Sequence, residues 1–399
     1  MRANTPSALR LGLFWLGIQA VWGALLGISL QARTIELVAS SNALIAYGRL
    51  ATIGALVAAV VQIAVGPFSD DRRRHGSRRI EFYVAGTAIG AFALAGFFAA
   101  GNFTALTLAF VALQAGLNFA IGPYQAIIPD AIPRSEFGRA SSWMAALQSA
   151  GNALGAVLAA TINDGRMLAS SLIVLLGGTA AATCAHVRRI ALEPPPQRER
   201  LRFTRGFADL FVSRALVYVG FYTLLGYLLF YVTGVLETPS LAVAKLQSGE
   251  LILAFTAMGA LGAAAAARPS DRFDKRLVAT AGGAIVVIAL GGFIAAHTFA
   301  GAAAATLLAG FGWGIFLAAD WSIACRILPP GALATTMGIW NLAVILPQVI
   351  APALTTAVLA HLALAAAGAA PKAAFALAAA ETFIGVAWLW RLPSAVLGE

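Results

Sequence analysis

The chain has 399 residues, of which 60% are hydrophobic and only 11% are charged. Soluble domains carry about 25% charged residues, so this composition excludes a water-soluble globular protein and predicts the lipid bilayer as a partner. The formal net charge is +10 at pH 7. Because cytoplasmic loops of membrane proteins are basic by default, this charge does not require a nucleic acid partner, and none is expected.

Long apolar runs follow one another from the first residues to the last. A helix needs about 20 residues to cross a hydrocarbon core about 30 Å thick. Twelve runs of this kind cover residues 9–31, 43–66, 80–100, 104–128, 141–162, 168–187, 209–236, 246–267, 277–296, 300–327, 333–361 and 373–392. They are continuously apolar rather than alternating, which favours helices over barrel strands. The predicted fold class is an all-α membrane protein with 12 transmembrane helices.

Basic residues are concentrated in alternate loops between these runs. One side collects most of the 27 Lys and Arg residues, and the other holds Arg33, Arg49, Arg166, Lys245 and Lys372. Under the positive-inside rule, this asymmetry predicts that both termini lie in the cytoplasm. The expected location is the plasma (cytoplasmic) membrane.

The longest polar interval contains three consecutive prolines after Glu193. Consecutive prolines cannot continue a helix. The interval predicts an N-terminal six-helix bundle over 1–187, a cytoplasmic linker over 188–208 and a C-terminal six-helix bundle over 209–399.

The two predicted bundles carry similar loops. Asp70 follows the second run and precedes Arg78 and Arg79, whereas Asp271 and Arg272 follow the eighth run, about half the chain later. This spacing predicts a duplicated six-helix unit and two pseudo-symmetric bundles. We expect these five residues to form a conformational gate that braces the cytoplasmic ends of the bundles, with Arg78, Arg139 and Arg326 as possible partners of Asp70.

Four sequence strings carry a resemblance to known families. The stretch Gly66-x-x-x-Asp70, with its basic cluster, resembles the loop between helices two and three of major facilitator superfamily transporters. Residues 118–126 (Asn-Phe-Ala-Ile-Gly-Pro-Tyr-Gln-Ala, with Asp130 after them), 151–155 and 338–348 resemble helices four, five and eleven of sucrose–cation symporters and of their glycoside–pentoside–hexuronide symporter relatives. The resemblance implies a major facilitator fold and a sugar symporter that works by alternating access.

Two residues depart from the symporter pattern. Those relatives usually carry an acidic residue where Gln114 stands and an arginine where Gln125 stands. The acidic residue is the family's proposed proton carrier, and glutamine cannot titrate. The family's usual route of proton coupling is therefore not expected here.

Polar and aromatic residues inside the predicted helices suggest a binding site near mid-depth. Polar groups in hydrocarbon tend to line interfaces or cavities, and amides combined with aromatic faces suit a hydroxyl-rich solute. The candidate substrate-binding residues are Gln19, Trp22, Arg49, Gln114, Asn118, Asn152, Tyr222, Trp313, Asn341 and Gln348. The alternative is that these amides only hydrogen-bond neighbouring helices.

Acidic residues within the runs are candidates for ion coupling. Asp320 and Glu250 are the predicted coupling residues for a proton or sodium ion. A pair between Asp320 and Arg326, or an arginine of another helix, is the structural alternative. Glu36 and Glu381 lie nearer to the ends of runs and carry less weight.

The sequence contains no catalytic constellation. The four histidines are scattered without metal-ligand spacing, and no phosphate-binding loop or nucleophile elbow occurs. We therefore expect no enzyme activity, no cofactor and no metal.

The predicted function is secondary active transport of a small solute, a sugar or glycoside, by a monomer. An exporter of a hydrophobic compound and a non-transporting receptor or assembly factor are the alternatives.

Overall fold

The structure is a computed structural model that describes residues 7–132, 137–192, 204–236, 238–327, 333–362 and 369–392. Within these ranges all regular structure is helical. The α-helices are α1 (Ala8–Ala24), α2 (Leu30–Leu37), α3 (Ser40–Arg74), α4 (Ile80–Ala99), α5 (Phe103–Tyr124), α6 (Ile127–Ala131), α7 (Phe137–Thr161), α8 (Gly165–Val187), α9 (Arg205–Gly234), α10 (Leu241–Arg272), α11 (Lys275–Ala295), α12 (Phe299–Ile327), α13 (Leu333–His361) and α14 (Ala369–Trp388). A π-helical turn, Leu25–Ser29, joins α1 to α2, and a 3₁₀ turn, Leu389–Arg391, follows α14.

Eleven helices in the described part of the chain are long and apolar enough to cross a membrane. Large apolar side chains stay exposed along them, including Phe92 at 85% and Val174 at 73% exposure. Lipid, unlike water, solvates such surfaces without cost. The prediction of an all-α membrane protein is therefore confirmed.

The helices separate into two compact units. The N-terminal unit contains Met1–Val38 and Ile53–Arg198, and the C-terminal unit contains Ala39–Thr52 and Glu199–Glu399. In the N-terminal unit, α1 packs against α7 and α8, and α4 packs against α5 and α8. In the C-terminal unit, α9 packs against α13 and α14, and α11 packs against α12 and α14. The two units thus repeat one packing pattern, as a duplicated six-helix fold requires.

Glycines of α7 allow its close contact with α1. A Cβ atom added to Gly155 would lie 1.9 Å from the backbone oxygen of Ala20, and one added to Gly151 would lie 2.4 Å from that of Leu16. No side chain fits at such distances, so the backbones approach each other directly. The string at residues 151–155, noted in the sequence for its resemblance, therefore has a packing role.

Two helices extend further than the sequence indicated. Helix α3 continues to Arg74, eight residues past the predicted end at residue 66, and α10 continues to Arg272. Asp70 and Asp271 consequently lie in the last turns of helices, and the prediction that they follow the second and eighth helices is wrong. Polar residues at the end of a transmembrane helix need not stop it, because the helix satisfies its own backbone groups in water and lipid alike.

Candidate functional site

A chain of amide side chains crosses from α3 to α5 in the N-terminal unit. Gln62 Nε2 donates to Asn118 Oδ1 at 2.5 Å. Asn118 Nδ2 in turn donates to the Gln114 backbone oxygen at 2.8 Å and to Gln114 Oε1 at 3.1 Å. Gln114 and Asn118 are buried, whereas Gln62 is partly accessible. The sequence indicated Gln114 and Asn118 but missed Gln62, whose partner lies on another helix.

A second polar contact in this unit joins α1 and α7. Asn152 Nδ2 donates to Gln19 Oε1 at 3.5 Å, and both side chains are half-buried. Trp22, three residues after Gln19, is also half-buried. Trp15 instead packs in the core, with its ring centroid 5.2 Å from that of Tyr124. The two predicted residues of α1, Gln19 and Trp22, therefore remain partly accessible.

In the C-terminal unit, Tyr222 and Trp313 belong to one aromatic cluster. The rings of Trp313 and Phe221 stack with centroids 4.5 Å apart and planes at 14°. Tyr218 meets Trp313 edge-on at 5.1 Å. The Tyr222 hydroxyl accepts a 3.0 Å hydrogen bond from Gln348 Nε2 of α13. The predicted residues Tyr222, Trp313 and Gln348 thus lie on α9, α12 and α13 around one cluster.

The predicted coupling residue Asp320 forms a buried ion pair. Arg214 Nη1 of α9 donates to Asp320 Oδ2 of α12. The guanidinium also lies 3.7 Å above the Trp340 ring and 4.9 Å from the centroid of Tyr218. From the sequence, an arginine of another helix was one possible partner of Asp320. Arg214 was instead counted among the basic residues of the cytoplasmic side. Its position inside the run 209–236 was the available signal.

A second buried carboxylate lies on α14. Glu381 is 5% exposed, and its Oε2 accepts a 3.3 Å hydrogen bond from Thr223 Oγ1 of α9. The Thr223 hydroxyl lies 3.2 Å from that of Thr355 on α13. The expectation that Glu381 lies near the end of a span is wrong, because α14 continues seven residues beyond it.

Two predicted residues do not join these clusters. The side chains of Arg49 on α3 and Glu250 on α10 are exposed. The side chains of Asn341, Asp271 and Arg272 lie outside the described part of the structure, as do those of Arg139 and Arg326.

A polar network holds the junction of α3, α4 and α6. Arg79 donates through Nε to Asp130 Oδ2 at 2.7 Å, through Nη1 to Ser69 Oγ, and pairs through Nη2 with Asp70 Oδ1 at 2.9 Å. Arg73 Nε lies 3.5 Å from the same oxygen of Asp130. Burial by itself lowers the pKa of the Arg79 guanidinium, but its bonds to Asp130 and Asp70 outweigh this and raise its pKa. Arg79 is therefore positively charged in this network.

The arginine partner of Asp70 differs from the expectation. Arg78 Nη1 donates instead to the backbone oxygens of Val187 and Ile190, at 2.6 and 2.8 Å. Arg79 occupies the left-handed region, with φ of 61°. This conformation is rare for a residue with a Cβ atom, and it aims the Arg79 side chain at Asp70 and Asp130. A backbone angle of this kind cannot be read from the sequence.

Fold and buried polar networks together define a polytopic helical membrane protein made of two similarly packed units. The sequence matches the family model of the Major Facilitator Superfamily over residues 11–352. The chain therefore belongs to this superfamily, and the prediction of two six-helix bundles in a major facilitator fold is confirmed. A search among curated proteins finds no match.

Solved transporter structures share this fold. A bacterial homologue of the human lysosomal transporter Spinster, inward-facing and occupied, is 16% identical with a TM-score of 0.69, covering 98% of this chain and 95% of that one. A variant of the nucleoside transporter NupG is 10% identical (TM-score 0.68; 96% and 99% covered). A D-xylose–proton symporter is 14% identical (TM-score 0.66; 98% of both chains covered). Identities this low establish the fold alone.

Proposed function

We propose that the protein is a secondary active transporter of a small, neutral, hydroxyl-rich solute, of the sugar or glycoside class. It works in the plasma membrane with both termini in the cytoplasm, by alternating access and with ion coupling. The observation that carries the proposal is the uncharged amide chain Gln62–Asn118–Gln114. It gives the N-terminal unit donors and acceptors without a fixed charge.

The chemistry of the amide chain favours a polyol over an ion. Each amide offers two N–H donors and a carbonyl acceptor, whereas a sugar hydroxyl both donates and accepts. A carboxylate or phosphate solute would require a basic partner. Among the described residues, the arginine that contacts the aromatic cluster of the C-terminal unit is Arg214, and it is already bound to Asp320. Within the C-terminal unit, the stacked rings of Trp313 and Phe221 provide an apolar face of the kind that sugar rings cover. The fold similarity to a D-xylose–proton symporter is compatible with this assignment.

A second candidate function is export of a hydrophobic compound. The aromatic cluster of Trp313, Phe221, Tyr218 and Phe255 favours it, because such rings bind flat apolar molecules. A receptor or assembly factor without transport is the third possibility.

Ligand-induced stabilisation of the purified protein tests the proposal. A ligand that binds the folded state raises the melting temperature, so a panel of mono- and disaccharides, glycosides, organic acids and lipophilic dyes can be compared directly. We expect stabilisation by a sugar or glycoside, followed by its uptake into proteoliposomes. Stabilisation by dyes alone, with dye extrusion, would support the exporter. No flux of any panel member, with a protein partner that co-purifies, would support the receptor.

A matched pair of variants on α5 locates the binding. Asn118→Leu removes the middle amide of the chain and with it the hydrogen bonds to Gln62 and Gln114. We expect it to weaken sugar binding about tenfold, since one or two hydrogen bonds are lost. Thr107→Val is the control, because the Thr107 hydroxyl bonds the Phe103 backbone oxygen of its own helix at 2.8 Å and no other group among the described residues. Equal affinities in the two variants would contradict the role of Asn118.

A further inference from the structure

Glu381 occupies a buried site that its neighbours only half satisfy. Its Oε2 accepts from Thr223, but its Oε1 is buried and has no hydrogen-bond partner in the described part of the chain. The Thr223 hydroxyl also lies 3.2 Å from that of Thr355, so the one donor to the carboxyl group in the described part of the chain is shared with a second threonine. A fully ionised carboxylate normally fills both oxygens with donors.

No cation compensates this carboxylate among the described residues. The charged and titratable side chains on the helices that pack against α14, on α14 itself and on the turn that follows it are Arg205, Asp209, Arg214, Tyr218, Tyr222, Tyr227, Tyr231, Lys275, Arg276, His361, Lys372 and Arg391. None of them forms an ion pair or hydrogen bond with Glu381: Arg214 binds Asp320, Arg276 binds Asp274, and Asp209 accepts from Trp388.

Distance along the helices explains the missing cation. Lys372 and Arg391 lie nine and ten residues from Glu381 on the same helical stretch, about 13–15 Å away at 1.5 Å per residue. Lys275 and Arg276 stand at the start of α11, before Gly283, the position at which α11 contacts Val386 of α14. Glu381 precedes Val386 on α14 by more than a helical turn. It therefore lies on the far side of this contact from Lys275 and Arg276.

Protonation would remove the charge of Glu381 that its neighbours do not compensate. Ionised, Glu381 is a buried charge that one threonine hydroxyl cannot compensate. When a proton from water bonds to Oε1, the side chain changes from −1 to neutral, and the hydroxyl of Thr223 still donates to Oε2. Asp320 differs, because Arg214 neutralises it without a proton.

We propose that Glu381, held by Thr223, is a proton-binding site of this transporter. The inference rests on the proposed ion-coupled transport and names its coupling group. Protonation in one conformation and release in the other would link proton movement to solute movement. The proposed proton-binding group therefore lies on α14, whereas the symporters that the sequence resembles usually carry an acidic residue at the position of Gln114.

Infrared spectroscopy tests proton binding without any knowledge of the solute. The purified protein in lipid nanodiscs is titrated from mildly alkaline to mildly acidic pH, and the carbonyl stretch of protonated carboxyl groups is followed. We expect a band in the wild type that is lost in Glu381→Gln, a substitution of nearly equal shape. The exposed carboxylate of Glu36 pairs with Arg33, so Glu36→Gln serves as the control and retains the band. Identical spectra for the wild type and Glu381→Gln would overturn the proposal.

A transport experiment then tests coupling. Proteoliposomes are loaded with the sugar that stabilises the protein, and a pH gradient is imposed. We expect Glu381→Gln to exchange solute between equally loaded sides while losing accumulation against a gradient. Accumulation equal to the wild type would overturn the coupling role. If no sugar is transported by the wild type, the proposed function fails, whereas the infrared band still decides whether Glu381 binds a proton.

Discussion

Arg214 and Asp320 join α9 to α12 through an ion pair whose members are 8% and 1% exposed in their side chains. Asp320 Oδ1 and Arg214 Nε have no hydrogen-bond partner in the described part of the chain. The guanidinium is held by its contact with Asp320 Oδ2, by a 3.4 Å hydrogen bond from Nη2 to the Tyr218 hydroxyl and by the Trp340 ring. A buried pair of this kind contributes to specificity of packing more than to net stability, but removal of one partner leaves an uncompensated charge.

Single substitutions in this pair should destabilise the protein more than the double substitution. We expect Asp320→Asn or Arg214→Gln alone to cost about 3–5 kcal/mol, and the combined variant to recover part of the loss, because it leaves no buried charge. Thermal unfolding in detergent measures the stability of the single variants and of the double variant. Additive losses in the double variant would show that the two charges do not compensate each other. A coupling role for Asp320 itself stays a prediction, and it requires Arg214 to move away during the cycle.

The two carboxylates bound to Arg79 should differ sharply in importance. Asp130 is buried and contacts both Arg79 and Arg73, whereas the Asp70 side chain is 58% exposed. Asp130→Asn should therefore cost about 3–5 kcal/mol, and Asp70→Asn no more than about 1 kcal/mol. Melting temperatures of the purified variants compare them. A larger loss in Asp70→Asn than in Asp130→Asn would contradict the order of burial.

Asp70→Asn is also expected to change the conformational balance. If the network of Asp70 and Arg79 braces the outward-facing state, the variant should shift the population towards inward-facing forms and slow transport while expression is retained. Accessibility of single cysteines to thiol reagents reports the shift. Wild-type turnover with unchanged accessibility would leave Asp70 without a gating role.

Glycine 155 should tolerate no side chain. Gly155→Ala would place its Cβ atom 1.9 Å from the backbone oxygen of Ala20, so α1 and α7 must separate, and we expect a loss above the usual 1–3 kcal/mol or so for overpacking. Gly177→Ala on α8 is the control, since nothing lies within 4 Å of its added Cβ atom. The yield of monodisperse protein and its melting temperature distinguish the variants. Equal behaviour of both would mean that α1 and α7 are not in backbone contact.

The predicted orientation in the membrane can be tested by labelling. In a variant without Cys184 and Cys325, a cysteine at Arg74 should be protected from impermeant thiol reagents in intact cells. A cysteine at Gly165 should be labelled, because this position begins α8 on the opposite side. Labelling at Arg74 from outside would reverse the topology derived from the positive-inside rule.

The sequence alone was sufficient for the class of fold. Transmembrane helices must satisfy their backbone groups internally, so each one is a long apolar run that can be recognised without knowledge of its neighbours. The duplicated signatures at Asp70 and Asp271 likewise revealed the repeat, because a repeat is a property of the linear order. Gln114, Asn118 and Gln348 could also be found, since a polar residue within an apolar run is locally conspicuous.

Only the tertiary structure decided which of these residues act together. Gln62, Arg214 and Thr223 acquire their roles from partners on other helices, 56, 106 and 158 residues away in the chain. Ion pairs and hydrogen bonds depend on distances of a few ångströms, and the packing of helices sets these distances. For the same reason Asp320 and Glu381, two acidic residues in apolar helices, look alike in the sequence. One is neutralised by Arg214, whereas the other is hydrogen-bonded to Thr223 and pairs with no cation among the residues that the structure describes.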